Sequence, residues 1–218
     1  MTTARPKTYS WVTWLAPLIS GDKSCRWAAW VKSHYFYEKR PDPDGNRLVA
    51  WKAEHAEMVR ARESALRAAG IGVVLVEDQN KFAYKGHVAV VGGKPDLVSI
   101  SGAGDRALIS DCKTGQERDS DVVQVATYMM LVPRIDGLAR GLPTDGEVVY
   151  KTRVRPVPSA DAGRLFPLII AQVQAIASDV EPRRTPSAAE CPRCDIAGCP
   201  DRVEAEELSD EPEKDAVF

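Results

Sequence analysis

Nowhere in these 218 residues does an apolar run approach the roughly 18 residues of a membrane span, so no transmembrane segment is expected. The opening stretch MTTARPKTYSWVTWLAPLISGDK lacks a basic start, an unbroken apolar core and a small-residue cleavage site, which predicts a cytoplasmic protein in a reducing compartment. Net charge is also small, at -2, but the acids are unevenly placed. Glu204, Glu206, Glu207, Asp210, Glu211, Glu213 and Asp215 fall between Val203 and Phe218 against Lys214 alone, and 28 basic and 24 acidic residues remain without that stretch. A mildly basic body with a disordered acidic tail is compatible with DNA binding and does not require it. Apolar residues (44%) and charged residues (28%) are present in ordinary amounts, as in one compact domain with appendages.

Trp51 to Ala69 is rich in Ala, Glu and Arg, lacks Gly and Pro, and stops at Gly70, which predicts a helix. Strands are expected over Gly72 to Glu77, Phe82 to Val91, Asp96 to Ser101 and Ala107 to Lys113, the last two forming a hairpin through Gly102-Ala103-Gly104-Asp105. A second helix is expected from Asp121 to Val132, capped by Asp119 or Ser120 and ended by Pro133. Gly146 to Val154 alternates as a strand, with Lys151, Arg153 and Arg155 on one face; that face is either merely solvated or a DNA-facing basic stripe. A last helix falls within Ser159 to Val180, with a late start because of Pro167.

The chemistry concentrates at two acids and a lysine. With a period of two, Ala107, Ile109, Asp111 and Lys113 share one strand face while Cys112 points away, and Asp96 begins the neighbouring strand. Two carboxylates approaching from paired strands repel unless a divalent cation sits between them, which outlines a Mg2+ or Mn2+ site.

Gly93-Lys94-Pro95-Asp96, Asp111-Cys112-Lys113-Thr114-Gly115 and Gln124-Val125-Ala126-Thr127-Tyr128, in that order, resemble the PD, D-x-K and Q-x3-Y series of RecB-like nucleases in the PD-(D/E)XK superfamily. The resemblance implies an α/β restriction-endonuclease-like core, a central mixed sheet flanked by helices, acting as a metal-dependent deoxyribonuclease. It implies that His55 completes a metal site with Asp96, Asp111 and the main-chain carbonyl of Cys112, and that Lys113 orients the attacking water or stabilises charge developing on phosphorus. Gln124 and Tyr128, with Lys151 and Arg153, are the expected DNA contacts, and Glu54 is a reserve ligand.

Cys191-x2-Cys194-x4-Cys199 brings three thiols close together; with Cys112 facing the wrong side of its strand, Cys25 is the candidate fourth ligand. One early and three late cysteines around such a core resemble the iron-sulfur subgroup of RecB-like nucleases, which includes AddB-type nucleases and small CRISPR-associated exonucleases. The resemblance implies a cluster, of 4Fe-4S type, that joins the N- and C-terminal segments, with zinc as the alternative. It also implies 5' to 3' exonuclease action on single-stranded DNA ends in spacer acquisition, recombination or repair, beside an integrase or helicase partner. A rival expectation is a catalytically inactive DNA-binding module carrying structural zinc. The expected divisions are 1-49 with the first cluster cysteine, a nuclease core over 50-155, the C-terminal helix and three-cysteine segment over 156-202, and a disordered tail over 203-218.

Overall fold

The structure is a computed structural model describing residues 3–41, 45–137 and 139–204; the expected acidic tail, from residue 205 onward, lies outside the described residues. The chain opens with β1 (Thr3–Ala4), β2 (Tyr9–Trp11), α1 (Val12–Ser20), α2 (Arg26–His34) and β3 (Tyr35–Phe36). Helix α3 (Gly45–Ala68) leads into β4 (Val73–Val76), β5 (Phe82–Lys85), β6 (Val90–Gly93), β7 (Leu97–Ile100) and β8 (Ala107–Lys113). Then follow α4 (Asp119–Leu131), β9 (Thr144–Tyr150), β10 (Val154–Val157) and α5 (Ser159–Ala177). Among the described residues no helix is long and apolar enough to cross a membrane.

The central sheet runs in the order β10-β9-β8-β7-β4. Its one parallel pair, β8 with β9, is joined by α4 as a crossover, which a parallel connection requires. The strand period sorts side chains to two sides. Ala107 and Ile109 of β8 join the larger core with Val125, Ala126 and Met129 of α4, whereas Cys112 joins Val59 and Leu66 of α3, Leu97 and Val149 in a second cluster. Gly146 lets α4 lie close on the sheet, since an added Cβ would meet Val125 Cγ1 at 2.4 Å and Met129 Sδ at 2.6 Å.

Four expectations need correction. Phe82 to Val91 is not one strand: the Gly86 N–H donates to the Ala89 carbonyl at 3.0 Å, and the chain folds back as the antiparallel pair β5 and β6. Gly146 to Val154 likewise ends at Tyr150, whose N–H donates to the Arg153 carbonyl at 2.9 Å, and returns as β10. Lys151 and Arg153 therefore sit in a turn and form no stripe with Arg155. Neither Asp119 nor Ser120 caps α4; the Asp121 carboxylate does so, accepting from the Arg118 N–H at 3.1 Å. Finally, α5 starts at Ser159 and runs through Pro167, tolerating one lost backbone hydrogen bond because Ile169, Gln172 and Ile176 are buried along it.

Residues 3–41 are woven into the whole. Strand β2 pairs in parallel with β6, and Lys39 forms a bridge with Ile196. Trp27 Nε1 donates to Glu181 at 2.7 Å, Trp30 Nε1 to the Ser178 carbonyl at 2.8 Å, and Tyr37 Oη to Asp195 at 2.8 Å. The expected joining of N- and C-terminal segments is thus carried by hydrogen bonds between these side chains and the segment after α5.

A buried ion pair ties α3 to the sheet. Arg62 donates from Nε and Nη2 to Glu147 at 2.7 Å each, and Ser110 Oγ donates to Glu147 at 2.5 Å, with Glu147 only 6% exposed. Removing the guanidinium leaves a buried, uncompensated carboxylate. Arg62→Ala is expected to lose about 3 kcal/mol in chemical denaturation, and the double variant Arg62→Met with Glu147→Met is expected to recover most of it.

Candidate active site

Asp96 precedes β7 and Asp111 lies near the end of β8, so the antiparallel register Leu97↔Ser110 sets the two acids side by side. Both are buried, Asp96 at 7% and Asp111 at 2% exposure. The Cys112 N–H donates to Asp96 Oδ2 at 2.7 Å, and His55 on α3 sets Nε2 3.2 Å from Asp96 Oδ1. Lys113 Nζ lies 2.7 Å from Asp111 Oδ2 and donates to Gln124 Oε1 at 3.1 Å. Gln124 Nε2 in turn donates to Asp111 Oδ1 at 3.0 Å and to Tyr128 Oη at 3.3 Å, a reach that their spacing of four on α4 permits. Tyr128 Oη donates to the Lys94 carbonyl at 3.5 Å, tying the Q-x3-Y helix to the PD turn. Gly93 is needed there, because a Cβ would meet Phe82 Cζ at 2.5 Å and Tyr128 Cε1 at 2.8 Å.

These residues line one cavity of about 660 Å³, open to solvent, together with Trp11, Trp51, Lys52, Glu77 and Lys94. Its electrostatics follow from crowding. Burial pushes the Asp111 carboxyl up to about 6, with Lys113 opposing and Asp96 adding to the rise. His55 is raised by its hydrogen bond to Asp96, against the effect of burial. Burial pulls Lys113 down, but Asp111, with smaller contributions from Asp121 and Asp96, outweighs it, so the net shift is upward and the ammonium is retained.

One buried atom of the set, His55 Nδ1, lacks a hydrogen-bond partner, while Asp111 Oδ2 is held by the Lys113 ammonium at 2.7 Å. Hard carboxylate oxygens and an imidazole make a donor set that suits Mg2+ or Mn2+. As they stand, the side chains are engaged with one another, and no group of three or more His, Cys, Asp or Glu is arranged to hold an ion among the described residues.

Other expected residues lie elsewhere. Glu54, the reserve ligand, faces away and pairs with Lys151 at 2.5 Å, while Arg153 is engaged by Glu117; none of the three lines the cavity. Glu77 was not expected. It follows β4, adopts φ +44°, and its N–H donates to the Asp96 carbonyl at 2.8 Å. A left-handed glutamate is strained, and here the strain sits beside the two acids. Its only trace in the sequence is an acid closing a β-branched run.

Among the described residues the four candidate cysteine ligands are not arranged to hold an ion. Cys25, Cys191, Cys194 and Cys199 line one small cavity of about 70 Å³, and all are free thiols. The Arg202 guanidinium donates to the carbonyls of Cys191, Cys194 and Ile196, and Glu190 accepts from the N–H groups of Ser24 and Cys25. Thiolates are soft donors of the kind that suits iron or zinc. Cys112 is remote in kind: it is buried in the second cluster, and burial raises its thiol well above the ordinary range.

Among curated proteins none matches this sequence. Among solved structures, that of SSO0001 is similar at a TM-score of 0.46 and 14% identity, over 93% of this chain and 91% of that one, a general likeness on which nothing rests. The family model described as the PD-(D/E)XK nuclease superfamily matches residues 23–200, which contain every residue of the acid and lysine cluster and all of the cysteines. The chain belongs to the PD-(D/E)XK nuclease superfamily.

Proposed function

We propose that the protein is a divalent-metal-dependent deoxyribonuclease of the RecB-like type, acting as an exonuclease on single-stranded DNA ends. The observation that carries this reading is the convergence of Asp96, Asp111, Lys113, His55 and Gln124 on one open cavity. On this reading residues 50–155 supply the chemistry, and 1–49 and 156–202 flank it. Direction, 5' to 3', and a role in CRISPR spacer acquisition or in recombination and repair, with an integrase or helicase, follow from the family resemblance.

His55, Asp96, Asp111 and the Cys112 carbonyl are the groups that would hold Mg2+ or Mn2+. Such an ion neutralises the scissile phosphate and acidifies its water. Lys113 presents a fixed ammonium to the charge that develops on phosphorus. Gln124 holds that ammonium through Oε1 and Asp111 through Nε2, so acid and base stay in register on β8. Tyr128, buried and with its phenol raised well above the ordinary value chiefly by burial, remains neutral and braces Gln124. Lys151 and Arg153 serve DNA only by exchanging Glu54 and Glu117 for phosphate.

Cys25, Cys191, Cys194 and Cys199 are assigned to one iron-sulfur cluster of 4Fe-4S type, with zinc as the alternative occupant; their common cavity supports this. The assignment is structural, since the cavity holds none of the acids of the site.

Cleavage of labelled single-stranded DNA is expected with Mn2+ or Mg2+ and not with chelator; no cleavage with either metal would remove the enzymatic reading. Lys113→Ala, Asp96→Ala and Asp111→Ala are expected to lower the cleavage rate by about 10² to 10³ while the fold is kept. Near-normal cleavage by Lys113→Ala ends its catalytic assignment. His55→Ala is expected to need more Mn2+ for half-maximal rate, and wild-type behaviour at limiting metal would make it an ordinary half-buried histidine. After anaerobic purification, Cys25→Ala, Cys194→Ala and Cys199→Ala are expected to be colourless and protease-sensitive, whereas Cys112→Ala keeps its metal content. Cluster loss in Cys112→Ala with retention in Cys25→Ala would show the fourth ligand to be misassigned.

A further inference from the structure

The rim of the catalytic cavity carries an aromatic side chain that the chemistry above does not use. Trp51 lies on α3 one turn before His55, and its indole stacks on that imidazole with ring centroids 5.2 Å apart and planes 15° from parallel. It is nevertheless 47% exposed. One face is covered by His55, so the exposure falls on the opposite face and the edge. A tryptophan open to water in a helical stretch whose neighbours Lys52, Ala53 and Glu54 are all exposed contributes little to the core.

The surroundings indicate what the open face meets. Lys52 and Lys94 line the same cavity and bring two ammonium groups to it. Lys94 has only a distant ion-pair partner, Asp78 at 3.5 Å, whose side chain is 90% exposed, so the pair is weak and easily exchanged for another anion. A flat π surface beside two cations, next to buried acids, matches a nucleotide unit: base on the ring, phosphates on the lysines.

We propose that Trp51 is the platform on which an unpaired nucleobase stacks beside the scissile phosphate, with Lys52 and Lys94 holding the phosphates around it, and that this contact selects single-stranded over duplex DNA. The proposal rests on the nuclease reading and adds the residue that sets its substrate class. In a duplex both faces of an internal base are already covered by its neighbours, so the indole has nothing to accept. In a single strand each base has a free face, and stacking is tolerant of sequence. Trp51 acts here as a binding residue, with His55 as the rigid backing of its ring.

The test is fluorescence anisotropy with a labelled 20-residue oligodeoxythymidylate and with a blunt duplex of equal length, Ca2+ replacing Mg2+, using wild type, Trp51→Ala and Trp51→Phe of matched thermal stability. Trp51→Ala is expected to bind the single strand roughly ten- to a hundredfold more weakly, Trp51→Phe within about threefold of wild type, and the duplex is expected to change less than about twofold in either. An oligonucleotide with abasic sites at its terminal positions is expected to bind wild type and Trp51→Ala alike. Equal single-strand affinity of wild type and Trp51→Ala, equal losses on both DNAs, or a Trp51→Ala defect that persists on abasic DNA each overturn the platform. Wild-type cleavage of both DNAs with Mn2+, run on the same preparation, separates the failures. A wild type that cuts DNA while Trp51→Ala binds normally removes the platform alone, and a wild type that neither binds nor cuts removes both readings.

Discussion

The local arrangement of the site follows from holding two buried carboxylates beside each other at the end of paired strands. Asp96 and Asp111 meet because β7 and β8 are in antiparallel register, and that proximity is electrostatically costly. Four neighbouring groups answer it. The Cys112 N–H and His55 address Asp96, and Lys113 and Gln124 address Asp111. Tyr128 then fixes Gln124 to the turn that carries Asp96, so the network closes on itself. The burial and like-charge crowding that push the Asp111 carboxyl up to about 6 would be relieved by a cation placed between the two acids.

The two sheet faces keep distinct duties. On the α4 side, close packing over Gly146 fixes the helix that bears Gln124 and Tyr128. On the α3 side, the Arg62–Glu147–Ser110 pair fixes the helix that bears His55 and Trp51. Residues from both flanking helices therefore reach the same end of the sheet, and the site inherits its precision from two independent attachments. A bidentate ion pair is directional where apolar packing is not, and it sets the rotation of α3 about its axis.

Much of this could be read from the sequence where period and chemistry coincide. The alternation of Ala107, Ile109, Asp111 and Lys113 against Cys112 needed only strand geometry, and Gln124 with Tyr128 only the helical repeat. The cysteine spacing marked Cys191, Cys194 and Cys199 as neighbours, whereas the cavity they line together with Cys25 is a tertiary feature. What escaped depended on tertiary partners. The break at Gly86 is invisible in a run that keeps its β character, and the turn at Lys151 interrupts a faultless alternation. Helix α1 is only nine residues long and carries Pro17 inside it, a residue that argues against a helix when read from the sequence alone. Glu77 and Trp51 gain significance only from what lies across the cavity, and a sequence read along one dimension does not contain that.

The interlocking of both chain ends has a consequence for biosynthesis. Trp27, Trp30 and Tyr37 find their hydrogen-bond partners at Glu181, Ser178 and Asp195, some 150 residues later. At a ribosomal pace of about 5 to 20 residues per second, this aromatic N-terminal segment waits roughly eight to thirty seconds before its cover is made. During that interval Trp30 can stack on His34 and Tyr35 of its own segment, but the hydrogen bonds of Trp27, Trp30 and Tyr37 stay unmade, and the exposed rings are the kind of apolar surface that chaperones cover.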